Sequence, residues 1–233
     1  PGNITIKKAK LAGLESNGMI CSLEELGLDS KYLRPEDKEG IHELPLDAPV
    51  GEDAIHYLGY DDEVIDFELT ADRADLMSML GMAYEVGAIY DRKVSYPETE
   101  VETISEDVSE VHTLNVETKD CPIYLGRMVR NVQIKESPMW LKNRLMASGI
   151  RSINNVVDIS NYVMLEYGQP LHFFDSDALG RDVIVRNAKE MEEMTTLDGN
   201  KRVLGPDDLV IANKNEAVCL AGVMGGLNTE VEE

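Results

Sequence analysis

From Val183 onward the chain is cut into short β-rich runs, and this pattern narrows its fold more than any other feature. Val183-Ile184-Val185, Leu209-Val210-Ile211 and Val218-Cys219-Leu220-Ala221 are too short and too rich in β-branched residues for helices, and they read as strands. Leu197-Asp198-Gly199 supplies a two-residue Asp-Gly turn between strands. Two helical patterns precede these runs. Ser137-Pro138, as N-cap and first helical residue, opens a helix to about Ala147 that Gly149 ends. A second begins near Ser152, carries Val156, Val157, Ile159, Val163, Met164 and Leu165, and stops at Gly168. Tyr124 to Val132 reads as a further strand, with Arg127 and Arg130 in it. Gly222-Val223-Met224-Gly225-Gly226 is a glycine-rich turn with backbone amides placed for a ligand. Helices followed by a series of short strands make this part α+β.

Upstream, the composition changes. Residues 97–120 hold Glu98, Glu100, Glu102, Glu106, Asp107, Glu110, Glu117 and Asp120 against Lys119 alone. This is an acidic linker, 97–118, feeding an edge strand, with the boundary near residue 118 and one domain over 119–233. Before the linker, Asp66-Phe67-Glu68-Leu69-Thr70 alternates like a strand. Leu76, Met79, Leu80, Ala83, Val86 and Ala88 then form one helical face, with Arg73 and Asp75 at the helix entry. Residues 29–53 read as a long loop. Ser22-Leu23-Glu24-Glu25 opens a short helix stopped by Gly27, and Ile4 and Ile6 alternate as in a strand. The order is therefore the tail of one module (1–22), a small α/β domain (23–96), the linker, and a layered α/β domain.

Charge limits the function classes. With 44 acidic residues against 22 basic ones the formal net charge is −22, which on its own argues against a free-standing nucleic-acid binder. No apolar run approaches the roughly 20 residues that cross a bilayer, and the first residues lack a signal peptide's apolar stretch. Cys21, Cys121 and Cys219 are odd in number and without a CxxC spacing, so a cytoplasmic chain with small buried thiols is expected rather than a zinc or disulfide framework. His172 and Asp175 could begin a metal site, but no further ligands follow at suitable spacing, so no metal is assigned. Asn154 and Asn155 read as caps or turn formers, and His42, His56 and His112, in polar stretches, as histidines with no chemical role.

Three strings carry a family resemblance. Gly149-Ile150-Arg151-Ser152-Ile153-Asn154-Asn155-Val156-Val157-Asp158-Ile159-Ser160-Asn161-Tyr162-Val163 resembles GIRPINNVVDxTNYV, Gly168-Gln169-Pro170-Leu171-His172-Phe173-Phe174-Asp175 resembles GQPxHAFD, and Leu220-Ala221-Gly222-Val223-Met224-Gly225-Gly226 resembles LAGVMGG. All are motifs of bacterial-type phenylalanyl-tRNA synthetase beta subunits. Glu68-Leu69-Thr70-Ala71-Asp72-Arg73-Ala74-Asp75 is similar to the family's ELTPNRAD, and residues 15–22 to the end of its OB-type tRNA-binding module. The resemblance covers all but the 29–53 loop and the linker.

It implies an editing domain that hydrolyses tyrosine wrongly attached to tRNA(Phe), inside an α2β2 enzyme that ligates phenylalanine to tRNA(Phe). The partners implied are the alpha subunit and tRNA(Phe), with neither membrane nor DNA. ATP and magnesium belong to the parent enzyme, and no cofactor to this piece. Carried over by motif, His172, Asn161 and Ser160 take catalytic places, and Arg151, Ala221, Gly222 and Gly225 bind substrate. Ser160 stands where Thr is common and Phe173 where Ala is usual. The chain ends at Glu233, shortly before a family glutamate that contacts the tyrosine hydroxyl, which implies a domain incomplete at its C-terminus. The alternative expectation is a non-catalytic acidic scaffold of the synthetase.

Overall fold

A computed structural model describes residues 6–231. Its backbone divides into two units, each assembled from two stretches of chain. Residues 6–94 join 135–170 in the first, and 95–134 join 171–231 in the second. Of the expected Ile4–Ile6 strand, Ile4 lies outside the described residues and Ile6 is in no strand.

The first unit is mainly helical. Strands β1 (Ala9–Leu11) and β2 (Leu14–Ser16) form a hairpin around Ala12-Gly13, both at positive φ, as a primed two-residue turn requires. The expected helix at Ser22 is a single turn. Its Ser22 amide donates to Glu25 Oε2 (2.9 Å) while the Glu25 amide donates back to Ser22 Oγ (3.3 Å), but Gly27 at φ +110 ends it there. Helix α1 (Ala54–Leu58) is capped by Asp53 and closed by left-handed Gly59. Asp66–Thr70 forms no strand: every residue in it is exposed and none has a ladder partner. Helix α2 (Met79–Tyr90) starts at Ser78, whose Oγ accepts from the Gly81 amide. Arg73 bridges Asp75 (3.0 Å) and Glu85 (2.8 Å), a structural clasp at the helix entry.

Helix α3 (Met139–Ala147) buries Leu141 and Leu145, one turn apart. Its cap position is Pro138, without a side-chain cap bond, because the Ser137 hydroxyl is turned away toward Asp158. Helix α4 (Asn155–Tyr167) is capped by Asn154, which accepts from the Val156 and Val157 amides, and left-handed Gly168 ends it. Leu23, Leu33 and Leu58, with Met139 against them, form the unit's core.

The second unit is a mixed sheet with a side hairpin, and the chain is α+β. Strand β3 (Thr113–Val116) is the edge, and runs parallel to β4 (Asp182–Asn187) after the short helix α5 (Ser176–Leu179). Strands β5 (Glu192–Thr195) and β6 (Lys201–Leu204) pair on their own. Strands β7 (Leu209–Ala212), β8 (Ala217–Leu220) and β9 (Met224–Gly225) complete the sheet in the order β3-β4-β7-β8-β9, antiparallel from β4 on. Both faces are covered: Val210 and Ala212 point to one cluster with Met194 and Leu204, and Ile211 to another with Val185 and Val218. A strand buried on two sides needs a continuous apolar run, which is what Leu209–Ala212 is. Tyr124–Val132 is not a strand. The Asp-Gly turn is also one residue longer than expected. Gly199 donates to Thr196 O (2.8 Å) and sits at φ +76, and the Thr196 amide donates to Asn200 O (3.0 Å) across a three-residue loop.

Candidate active site

In the first unit the motif residues are organised by Asp158, which is fully buried. Its carboxylate accepts from Ser137 Oγ and Ser152 Oγ (2.5 Å each) and from the Ile153 amide (2.9 Å). Asn155 adds a second clamp: its amide donates to Lys135 O (2.9 Å) and its Oδ1 accepts from the Lys135 amide (3.1 Å). Segment 150–154 is thus fixed at both ends, and Arg151 projects from it as an exposed side chain with no carboxylate partner among the described residues. Ser160 is half-buried and spends its hydrogen on Val157 O (2.7 Å), which leaves the oxygen's lone pairs for a ligand. Asn161, beside it on α4, is half-buried with no side-chain hydrogen bond among the described residues.

In the second unit two motifs meet. The His172 ring packs edge-on against Phe174 (centroids 4.6 Å apart, planes at 76°). Gly225 lies so close that a β-carbon there would sit 2.7 Å from His172 Nε2 and 3.0 Å from Leu197 Cδ1. His172 is an exposed residue overall, yet this crowded edge of its ring is desolvated, and burial there pushes its pKa below the usual imidazole value. Its resting form near neutrality is the uncharged imidazole, which can both accept and donate a hydrogen bond.

The glycine-rich turn differs from its expected role as an array of free amide donors. Val223 N donates to Leu220 O (3.0 Å) and Gly226 N to Val218 O (2.8 Å), and just before the turn Ala221 N donates to Leu209 O (2.9 Å), so two of its amides and the one preceding it are engaged within the fold. Gly222, exposed at φ +71, forms the tip. Gly226 is needed for close packing, since a β-carbon there would meet Val218 O at 2.6 Å. Cys219 is buried and its thiol is pushed up to about 11 by that burial, so it rests protonated and is no nucleophile. Among the described residues no group of three or more His, Cys, Asp or Glu is arranged to hold a metal ion, and no helix is long and apolar enough to cross a membrane.

Asp158 and Asn155 are the residues that sequence reasoning undervalued. The signal for Asp158 was an aspartate among apolar helix positions, one turn after an Asn cap, where a lone charge must find donors or destabilise the helix.

Residues 120–233 match the B3/4 domain. Over its whole length the chain is 55% identical to the phenylalanine–tRNA ligase beta subunit of Geobacillus kaustophilus, 51% identical to that of Bacillus subtilis and 49% identical to that of Staphylococcus aureus. It spans about 29% of the length of each of these curated relatives. The chain belongs to the bacterial phenylalanine–tRNA ligase beta subunit family and carries that family's B3/4 domain.

Proposed function

We propose that this chain supplies hydrolytic editing of tyrosine mischarged on tRNA(Phe). The observation that carries the reading is the meeting of His172 with Gly225, two motif segments far apart in sequence, around an uncharged imidazole. The parent assembly in this reading is an α2β2 ligase in which ATP and magnesium serve amino-acid activation on the alpha subunit. No step here runs through either.

Discrimination explains why a second site is useful. A pocket shaped for phenylalanine rejects an added hydroxyl by only about 10², because the hydroxyl fits at little cost. A site whose polar groups require that hydroxyl rejects phenylalanine far more strongly, since those groups would be left buried and unpaired. The reaction is simple. Water adds to the ester carbonyl carbon, the bond to the ribose oxygen breaks, and that oxygen takes up a proton to give free tyrosine and tRNA. His172 as a neutral imidazole accepts a hydrogen bond from the attacking water and orders it. Asn161, with both amide groups unengaged, and the Ser160 oxygen bind the aminoacyl end, while the Arg151 guanidinium pairs with a phosphate. Gly222 lets substrate approach the backbone closely, beside Ala221.

The test is deacylation of Tyr-tRNA(Phe) by the parent enzyme. His172→Ala and Asn161→Ala are expected to lose deacylation while phenylalanine charging is kept. Unchanged deacylation in both would remove the assignment. A scaffold role is the second reading, favoured by α2, whose twelve mainly apolar residues include none that is buried. Under that reading the substitutions would leave editing intact, and changes on α2 would alter assembly with the alpha subunit.

A further inference from the structure

The chain's single tryptophan is displayed rather than buried. Trp140, in the first turn of α3, is 58% exposed, although tryptophan has the largest apolar surface to hide. Its ring makes an edge contact with Tyr162 of α4 (centroids 5.5 Å apart, planes at 89°), which orients it while more than half of its surface stays exposed. One helical turn along α3, at the i+4 position, stands Arg144, exposed and with no carboxylate partner among the described residues. Arg151 follows beyond the end of α3 and is likewise unpaired. In a chain of net charge −22, where Arg34, Arg73, Arg130, Arg186 and Arg202 are tied to carboxylates, Arg144 and Arg151 keep their charge available beside an exposed aromatic. One acidic group also faces this surface: Glu166, one turn beyond Tyr162 on α4. Glu166 and Arg144 both act on the Tyr162 hydroxyl, with opposite sign, so a carboxylate and a guanidinium flank the tyrosine that holds Trp140.

We propose that Trp140, braced by Tyr162, is a stacking platform for an unpaired nucleotide base of tRNA, with Arg144 taking the adjoining phosphate. An aromatic face binds any base, and a neighbouring guanidinium supplies the charge that fixes the backbone beside it. The surface is distinct from the His172 and Gly225 contact and deepens the editing reading, since it rests on tRNA being the substrate handled by this chain.

Because Trp140 is the chain's single tryptophan, its emission reports on the platform directly. The chain is titrated with tRNA(Phe) bearing its unpaired 3′ end, and in parallel with a blunt RNA duplex of similar length. Saturable quenching of Trp140 by the tRNA, and not by the duplex, is expected. By labelled-tRNA anisotropy, Trp140→Ala should weaken binding by roughly tenfold or more, and Trp140→Phe should retain most of the affinity. Arg144→Gln should lower the dependence of log affinity on log salt by about one. Absence of tRNA binding, binding without a change in Trp140 emission, or equal affinity in Trp140→Ala would each overturn the platform. So would a Trp140 response to the purified alpha subunit in place of tRNA, which would make this a protein interface. The editing reading is judged separately, by deacylation in the His172→Ala enzyme. Loss of Trp140 stacking with deacylation intact therefore removes the platform alone.

Discussion

Removing the Asp158 carboxylate should unfold the first unit before it touches anything else. Asp158→Ala takes the acceptor from two hydroxyls and one amide at once. A hydrogen bond to a charged group contributes about 1.5–3 kcal/mol, and a buried donor left unpaired costs about 1–3 kcal/mol. Three such losses are offset by relief of the desolvation that a fully buried carboxylate suffers, and by rotation of the Ser152 hydroxyl toward solvent. A net loss of about 4 kcal/mol is expected, in the range for breaking one side of a buried charged network. Asp158→Asn keeps one oxygen acceptor and can donate its amide to a serine oxygen, so its loss should be about 1–2 kcal/mol. Trp140 lies in the same unit, and its emission in urea follows that unit without assuming that both units unfold together. At a urea slope of about 2 kcal/mol per M, the alanine variant's midpoint falls by about 2 M and the asparagine variant's by about 0.5–1 M. Equal midpoints for Asp158→Ala and the parent chain would refute the reasoning, because the three donors would then have equally good partners elsewhere.

Gly225→Ala should displace His172 and lower Tyr-tRNA(Phe) deacylation by tenfold or more, whereas Gly226→Ala, whose β-carbon meets backbone, should cost about 2 kcal/mol in thermal unfolding. Deacylation should hold through the range where an ordinary histidine protonates and decline only at lower pH, since burial makes His172 titrate lower than an ordinary histidine; a rate that rises on acidification would contradict a neutral imidazole. The same depression has a stability sign: between the folded and unfolded His172 pKa values the unfolded chain binds more protons, so stability from this group is lost as pH falls. Glu192, held down to about 2 chiefly by the Arg186 guanidinium, contributes stability that is complete above about 4.5 and lost as pH falls toward 2; an acid titration of Glu192→Gln should lack that phase. Asn154→Ala, which uncaps α4, should cost about 1 kcal/mol in urea unfolding.

Where a sequence segment carries its own stop signals, the sequence was sufficient. The helix ending at Gly168, the Asn154 cap and the strands at 183–185, 209–211 and 218–220 are all set by local chemistry or by burial on both faces. Failures fall where the outcome depends on a distant partner. Asp66–Thr70 has the alternation of a strand but no edge to pair with, and Tyr124–Val132 likewise contributes β-forming residues to an irregular segment. Ser137 has the identity of an N-cap, but the helix's cap position falls one residue later, at Pro138, and the Ser137 hydroxyl donates instead to a buried carboxylate 21 residues on. No local rule contains that outcome, since it is decided by the cost of leaving Asp158 unpaired.

The same accounting of partners sorts the motif residues into two kinds. Asn154, Asn155 and Asp158 are fully explained by the bonds that they make within the first unit, and Gly226 by its approach to the Val218 carbonyl. A fold that lost ligand binding altogether would still need them. Arg151 and Asn161 have no such occupation: one is a cation without an anion, the other an amide with two donors and an acceptor unengaged, half-buried on a helix where an apolar residue would pack better. His172 is intermediate, touching Gly225 and Phe174 through its edge while the rest of its ring is open. Groups whose polar capacity the fold does not use are the ones a ligand can use. On that ground Arg151→Ala and Asn161→Ala should leave unfolding midpoints within about 0.5 kcal/mol of the parent while deacylation falls, the opposite of Asp158→Ala. A loss of stability from either as large as the loss from Asp158→Asn would mean that the fold does use them, and the separation of structural from ligand-facing residues would fail with it.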